Sequence, residues 1–187
     1  MKKVKKKNLV GACVMVVMIL VAVPWGVHNS LTKLREYAEG SYYYDNTGYA
    51  IYDGIDVREA TANNLITLAR KYTDVNTNLV GLIDELDYNV RLSQNSYGNF
   101  EEEAQVNQAM GDAAQALYEE LKKTELEETD QKYPDQLIAQ MESEQDKINR
   151  SSYNDDAREF NARLEKFPVN LLRGLAGVSP LATFDYE

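Results

Sequence analysis

Carboxylates are the side chains most able to do chemistry in this chain, and they occur in short runs. Residues 101–103 are three consecutive glutamates, and Glu127 and Glu128 form a second run. Adjacent residues on a helix point in different directions, so neither run brings two carboxylates together for acid-base catalysis or metal binding. We therefore interpret both runs as solvated helix faces.

Histidine and cysteine are too rare to build the common catalytic sites. The only histidine, His28, lies beside an apolar segment, and the only cysteine, Cys13, lies within it. A di-iron bundle needs Glu-x-x-His pairs, and a serine nucleophile needs a neighbouring base. A disulfide or a thiolate zinc site needs more cysteines. We expect no enzyme, no catalytic, cofactor-binding or metal-binding residues, and no cofactor.

Two asparagines near the carboxyl end have a spacing that places them on the same face of a predicted helix. Asn154 and Asn161 lie seven residues apart, so they share one helix face with Phe160 and Leu164. Buried asparagines can fix helix register through hydrogen bonds, and we favour that structural role. The alternative is a ligand pocket between helices to which Arg158 also contributes.

An apolar segment at residues 9–27 precedes these elements and is predicted to be a transmembrane anchor. At 1.5 Å per residue it reaches about 28 Å, close to the hydrocarbon thickness of a bilayer. Pro24 and Trp25 suit a signal-peptidase site poorly, which favours an uncleaved anchor. Residues 9–13 resemble a lipoprotein box, but the apolar residues that continue beyond Cys13 argue against a lipidated cysteine.

Charge is distributed unevenly around this anchor. Five of the twenty basic residues lie within residues 2–7, against Lys33 and Arg35 on the far side, and all thirty acidic residues follow Asn29. The positive-inside rule therefore predicts a basic cytoplasmic tail at residues 1–8 and an extracytoplasmic remainder of a single-pass plasma-membrane protein. That remainder carries about −15, which argues against nucleic acid as a partner.

Residues 28–55 are predicted to be a juxtamembrane helix extension followed by a tyrosine-rich connector. Gly40 interrupts the helical pattern, and five tyrosines fall within residues 42–52. We interpret these rings as packing the connector onto the rest of the protein; the alternative is an exposed partner-binding surface. Residues 45–48 have turn chemistry, so a small hairpin is also possible there.

Helical periodicity dominates the rest of the chain. Apolar residues recur at alternating spacings of three and four, which predicts one long helix: Leu65, Leu68, Tyr72, Val75, Leu79, Leu82, Leu86 and Val90. A capping box of Asp56 and Glu59 would open this helix, and residues 95–99 would end it. A second helix follows from residue 100 to about 128, and a third runs from residue 134 to 167, with a break or kink near Ser152.

These elements predict an all-α fold, in which an N-terminal transmembrane helix precedes an elongated antiparallel bundle of three to four long helices. The bundle would occupy residues 56–187. Its apolar tail, from Asn170 onward, would either fold back onto the bundle or dock a partner.

Several short motifs along the bundle resemble those of the LemA family of bacterial membrane-anchored proteins. Two of these motifs are residues 68–72 with 78–80 and residues 133–134. The most specific stretch matches in both order and spacing, and it comprises residues 148–150, 153–154, 160–161, 167–172 and 174–175, with Phe184 near the end. The tyrosine-rich residues 41–52 and the start of the first helix depart from the family pattern. The resemblance implies an elongated helical bundle on a membrane anchor, with no established catalytic activity and no agreed partner.

We therefore expect a membrane-anchored, extracytoplasmic LemA-like bundle that acts as a non-enzymatic interaction or scaffold module. It would contact the membrane through its N-terminal helix and a protein through its bundle. The alternative is a ligand-sensing or ligand-binding helical ectodomain.

Overall fold

The structure, a computed structural model, describes residues 2–45 and 48–186, without the side chains of residues 2–9 and 175. Within these ranges the chain forms seven helices and no strand, which confirms the all-α prediction. The helices are α1 (Lys2–Tyr43), α2 (Ile51–Arg70), α3 (Asn78–Asn95), α4 (Phe100–Leu121), α5 (Tyr133–Asn149), α6 (Ser152–Leu164) and α7 (Val169–Ala176).

Helix α1 is 42 residues long, or about 63 Å at the usual helical rise. Most side chains of residues 10–26 are exposed, whereas Leu31, Ala38 and Tyr42 are buried against the rest of the protein. The sequence predicted that Gly40 would interrupt this helix, but the helix continues through Gly40 to Tyr43. Among the described residues, α1 is the one helix long and apolar enough to cross a membrane.

Helices α2 to α5 form a four-helix bundle in which sequence neighbours are antiparallel. Near the α4–α5 connection Lys122 pairs with Asp135 at 2.9 Å, and further along the same two helices Asn107 donates to Gln145 at 3.0 Å. Helix α5 also packs on α2, which closes the bundle. Its core consists of residues such as Leu65, Leu79, Met110, Leu117 and Met141.

The single long helix predicted over residues 56–95 is wrong, because the chain turns back between α2 and α3. Both helices direct apolar residues to the same core, so the three-and-four spacing continues across the turn and conceals it. Val75 is the exception, being 67% exposed at the turn. There the Asn76 side chain donates to Glu120 and Thr124, both at 2.9 Å, and accepts from the Asn78 amide at 3.1 Å.

The predicted capping box is also wrong, since Asp56 lies inside α2, which begins at Ile51 after an extended Ala50. The predicted end of the second helix near residue 128 is wrong too, since α4 ends at Leu121, but the predicted stop at residues 95–99 is confirmed. Asn99 caps α4 by accepting a hydrogen bond from the Glu102 amide, as expected if the previous helix stops at residues 95–99. The break near Ser152 is confirmed, because it separates α5 from α6.

Beyond this break, α6 and α7 pack along α1 rather than in the four-helix bundle. Ser41 of α1 donates to Asp156 of α6 at 2.6 Å. This second cluster, which we call the proximal core, contains Leu31, Tyr42, Tyr153, Phe160 and Phe184, joined by Ile51 and Ile55 from the start of α2. The molecule thus has two apolar cores in sequence along its length.

A layer of buried polar side chains lies between the two cores. Arg58 of α2, Asn107 of α4 and Gln145 of α5 are almost completely buried, and the Gln145 amide oxygen accepts hydrogen bonds from both of the others. The Arg58 guanidinium also donates to the Tyr186 hydroxyl at 2.7 Å. Hydrogen bonds among these buried side chains favour one register of the helices, because a shifted register would leave more of their polar atoms unpaired.

Candidate functional site

The two asparagines singled out in the sequence bind the backbone of the carboxyl-terminal segment. Asn154 is fully buried; it accepts a hydrogen bond from the Phe184 amide at 2.8 Å and donates to the Ile148 carbonyl at 2.8 Å. Asn161 accepts from the Leu181 amide and donates to the Leu181 carbonyl, both at 2.8 Å. Both side chains bind protein backbone, and mainly that of the tail, so the predicted role in helix register is not confirmed.

Arg158, the third residue of the alternative ligand pocket, is engaged elsewhere. Its guanidinium pairs with Asp155 at 2.8 Å and with Asp185 at 2.6 Å, near the protein surface. The three side chains therefore do not converge on a shared cavity, because their polar atoms already bind protein groups.

Two further side chains extend the asparagine contacts into a ladder along the tail. Gln145 donates to the Phe184 carbonyl at 2.9 Å. Asn149 donates to the Tyr186 carbonyl at 3.0 Å and accepts from its amide at 3.3 Å. We call Gln145, Asn149, Asn154 and Asn161 the amide clasp. Of the two fates predicted for the tail, the structure shows it folded back, with Leu181 and Phe184 buried.

Tyrosines of the connector divide into buried and exposed groups. The Tyr42 ring is completely buried and lies 4.8 Å from Phe100 and 5.4 Å from Phe184, measured between ring centroids. Tyr49 donates to Glu144 at 2.7 Å. The packing interpretation is therefore confirmed for these two, whereas Tyr44 is 88% exposed.

The small hairpin considered for residues 45–48 has no strand on either side in the residues described. The Gly48 amide donates to the Asp45 carbonyl at 2.9 Å, which is a turn contact. Asn46 and Thr47 lie outside the described residues.

Three partly exposed tyrosines from different elements contact one another. Tyr43 ends α1, Tyr52 lies in the first turn of α2, and Tyr97 lies in the α3–α4 turn. Their ring centroids are 6.1 Å apart for Tyr43 and Tyr52, 6.0 Å for Tyr43 and Tyr97, and 5.8 Å for Tyr52 and Tyr97. Burial and the neighbouring Tyr97 raise the pKa of Tyr43 to about 12.

A cavity of about 210 Å³ lies beside these rings, and we call it the acidic tyrosine pocket. Its lining combines three carboxylates with three phenol rings: Asp56, Glu59, Glu103, Tyr42, Tyr52 and Tyr97. No lysine, arginine or histidine is among its described lining residues. The pocket therefore carries negative charge and has aromatic walls.

Glu103 is the buried carboxylate of this pocket, and its interpretation as part of a solvated run is wrong. Glu101 and Glu102 are exposed, but Glu103 is only 4% exposed, because it follows Phe100 by three residues and precedes Met110 by seven on the inner face of α4. Its position on the apolar stripe was the signal that could have identified it.

Glu103 interacts with the Tyr42 hydroxyl and with the backbone of Gly98. However, neither its Oε2 atom nor the Tyr42 hydroxyl makes a hydrogen bond of regular geometry to any described residue. Burial raises the pKa of Glu103, and it also raises the pKa of Glu59. Burial, followed by the Glu103 charge, raises the pKa of Tyr42.

This arrangement is chemically suited to holding a cation. Carboxylates give charge-assisted hydrogen bonds to a cationic donor, and tyrosine rings attract positive charge to their faces. Among the residues that the structure describes, no group of three or more histidine, cysteine, aspartate or glutamate side chains is arranged to hold a metal ion.

Comparison with known proteins gives one match. The sequence profile of the LemA family matches residues 53–187, which is most of the chain and includes the four-helix bundle, α6, α7 and the clasped tail. No curated protein and no solved structure matches the chain. The matched region carries Glu59, Glu103 and the whole amide clasp, and the chain belongs to the LemA family.

Proposed function

We propose that this LemA-family protein is a single-pass plasma-membrane protein whose extracytoplasmic bundle acts as a non-enzymatic interaction or scaffold module. The observation that carries this proposal is the continuity of α1. Its exposed apolar residues 10–26 have the length and composition of a membrane span, and the same helix then buries Leu31, Ala38 and Tyr42 in the proximal core. The bundle would thus be fixed rigidly to the span.

Orientation in the membrane follows from the basic residues at the two ends of the span. Five lysines lie within residues 2–7, whereas Lys33 and Arg35 are the nearest basic residues on the other side. Such an excess favours retention of the amino terminus in the cytoplasm. The bundle would then lie outside.

The short helix α7 supports a bundle resting against the membrane surface. His28 is the first residue after the predicted span. Its Nδ1 atom lies 2.7 Å from the carbonyl oxygen of Ala176, at the end of α7. Phe167, just before α7, is 80% exposed, and Leu171, within α7, is 68% exposed. Exposed apolar side chains at the level where a span leaves the bilayer are typical of interfacial segments.

A non-enzymatic role is supported by the use of the single histidine. His28 contacts the Ala176 carbonyl near the end of the predicted span, which is a structural use of this side chain. A protein partner fits the exposed rings of Tyr44 and Tyr97, since tyrosine is enriched in protein interfaces. The excess of acidic residues disfavours nucleic acid.

Protease accessibility tests the location of the bundle. Intact cells that express a carboxyl-terminally tagged copy are treated with protease, and the membrane fraction is probed for the tag. Loss of the tag in intact cells supports an extracytoplasmic bundle. Protection until lysis would place the bundle in the cytoplasm and overturn the orientation, and recovery of the tag in the soluble fraction would overturn anchoring itself.

A ligand-binding ectodomain is the second candidate function, and the acidic tyrosine pocket favours it. A molecule that binds the folded state raises the melting temperature by mass action. Thermal unfolding of the protein with a panel of metabolites tests this function, and a panel in which no compound shifts the melting temperature would contradict it.

A further inference from the structure

We propose that the acidic tyrosine pocket binds an alkylammonium group, with the Glu103 carboxylate as its ion-pair and hydrogen-bond partner. The proposal rests on the ligand-binding candidate above and names the chemical class of the ligand. It does not depend on the membrane orientation of the bundle.

The charge of the pocket selects a cation. Glu103, Glu59 and Asp56 line it, and no basic side chain is among its described lining residues. A buried carboxylate without a cation is unfavourable, and Glu103 Oε2 makes no hydrogen bond of regular geometry to any described residue, although the Tyr42 hydroxyl lies near the carboxylate. A cationic N–H donor satisfies this oxygen and offsets the cost of burying its charge, whereas an anionic ligand would add repulsion.

The aromatic walls select an organic cation. Tyr52 and Tyr97 line the pocket with their rings in edge contact, 5.8 Å between centroids at an interplanar angle of 76°. Phenol rings pack against methylene groups and attract an ammonium to their faces. A calcium ion instead requires six to eight oxygen ligands, and the described residues hold no cluster arranged for a metal ion.

The size of the pocket limits the ligand to one small group. Its volume of about 210 Å³ is below the roughly 300–1,000 Å³ of sites for drug-sized molecules. An alkylammonium of a few carbon atoms fits this description, either as a free amine or as the end of a lysine side chain on a partner.

Titration calorimetry and thermal unfolding on the full-length protein in a non-ionic detergent test the proposal. The probe is n-butylammonium, and butyrate and n-butanol are its anionic and neutral controls. We expect n-butylammonium alone to bind and to raise the melting temperature. Equal effects of butyrate or n-butanol, or no effect of n-butylammonium, would overturn the proposal.

Variants locate the binding site. Glu103→Gln keeps the shape of the side chain and removes its charge, so we expect the dissociation constant for n-butylammonium to rise at least about tenfold, as for the loss of a charged hydrogen bond. Glu101→Gln, two residues earlier and exposed, is the matched control and should bind as the unmodified protein does. Unchanged affinity in Glu103→Gln would contradict the assignment of Glu103 as the partner of the ammonium group.

A second variant keeps the test decisive if Glu103→Gln does not fold. Glu59→Gln removes the other glutamate that lines the pocket and should also weaken binding, whereas unchanged affinity in Glu59→Gln would then count against the proposal. Nα-acetyl-lysine methylamide distinguishes the two sources of the ammonium group. Binding of this probe supports a lysine on a partner, and binding of n-butylammonium alone supports a free amine.

Failure of the ligand proposal can be told apart from failure of the membrane proposal. The binding measurements are made in detergent and do not depend on which side of the membrane the bundle occupies. The protease experiment reports only location.

Discussion

Asn154 connects two backbone segments through one side-chain amide, since it accepts from the Phe184 N–H and donates to the Ile148 carbonyl, both at 2.8 Å. Asn154→Ala would leave the buried Phe184 N–H unpaired, whereas the Ile148 carbonyl would still accept from the Ser151 amide at 3.1 Å. We therefore expect a loss of about 1–3 kcal/mol in the free energy of unfolding, measured by urea denaturation. Asn64→Ala, at an exposed position of α2, should stay within about 0.5 kcal/mol of the unmodified protein.

The outcome for Asn154 separates a structural from a ligand-binding role. If Asn154→Ala unfolds at the same urea concentration as the unmodified protein but no longer binds some molecule, the amide clasp is a binding site and our interpretation is wrong.

Phe184 should be among the most sensitive positions in the tail. It is 1% exposed, and its ring lies 5.4 Å from Tyr42 and 5.6 Å from Tyr153. Phe184→Ala removes a buried ring from the proximal core, and we expect a destabilisation of about 3–5 kcal/mol in thermal or urea unfolding. Tyr44→Ala, at an exposed ring, is the control and should change stability little. A small effect at Phe184 would mean that the tail is not part of the core in solution.

Glu103→Gln should make the protein more stable at neutral pH in the absence of ligand. Burial raises the pKa of Glu103, so its charged form is disfavoured in the folded state. We expect the melting temperature at pH 7 to rise by on the order of 2–4 °C, the change that corresponds to about 1 kcal/mol in a domain of this size. A large fall in melting temperature would instead mean that the interactions of Glu103 with Tyr42 and the Gly98 backbone outweigh the cost of its burial.

The pH dependence of this effect has a definite sign. A carboxyl group whose folded-state pKa is raised above its ordinary 4.5 stabilises the fold below that value and loses this contribution as pH rises through the folded pKa. The advantage of Glu103→Gln should therefore grow from about pH 4.5 upward. Glu59, whose pKa is also raised by burial, contributes in the same direction, whereas Asp56 remains exposed.

Glu120 should show the opposite pH dependence. Hydrogen bonds from Asn76 and Asn78, and then from Lys123, lower the pKa of Glu120 to about 2. Its stabilising contribution is present above about pH 4.5 and is lost as pH falls toward 2. We expect Glu120→Gln to melt below the unmodified protein at pH 7 and the difference to shrink below pH 4.5. Glu128→Gln, at an exposed position, should show no such convergence, and a pH-independent gap for Glu120→Gln would contradict the assignment.

Leu171 should report contact with lipid. In a Cys13→Ala background, a fluorophore on Leu171→Cys is expected to be quenched by nitroxide-labelled lipids when the protein is reconstituted in vesicles. The matched control is Val75→Cys, an equally exposed apolar position in the α2–α3 turn at the far end of the bundle. Equal quenching at both sites, or none at Leu171, would place α7 away from the bilayer.

Periodicity predicted the helical content and several boundaries, because apolar stripes and turn residues are local signals. The α2–α3 turn escaped prediction because two antiparallel helices that share one core can continue the same spacing across a turn, and only exposed Val75 reveals the change. Glu103 was misread because its run of three glutamates looks solvated. Only one of these three glutamates is directed toward the core. Which one it is depends on packing between helices, and a local sequence pattern does not show this.

The hydrogen-bond partners of the amide clasp could not be predicted from the local sequence either. Asn154 and Asn161 could be recognised as special by their spacing, but their partners lie 30 and 20 residues further along the chain. A side-chain amide can bind any peptide group, so the sequence does not specify which segment it will hold.

The placement of the proximal core has a consequence for biosynthesis. Arg35 contacts the backbone of Ser179 across 144 residues of sequence, and Phe184 completes a core that begins at Leu31. Helices α2 to α5 contain their own core and have the contacts to form while later residues are still being synthesised. The proximal core can close only after residue 184 has been synthesised, so until then Leu31, Tyr42 and Tyr153 lack part of their packing.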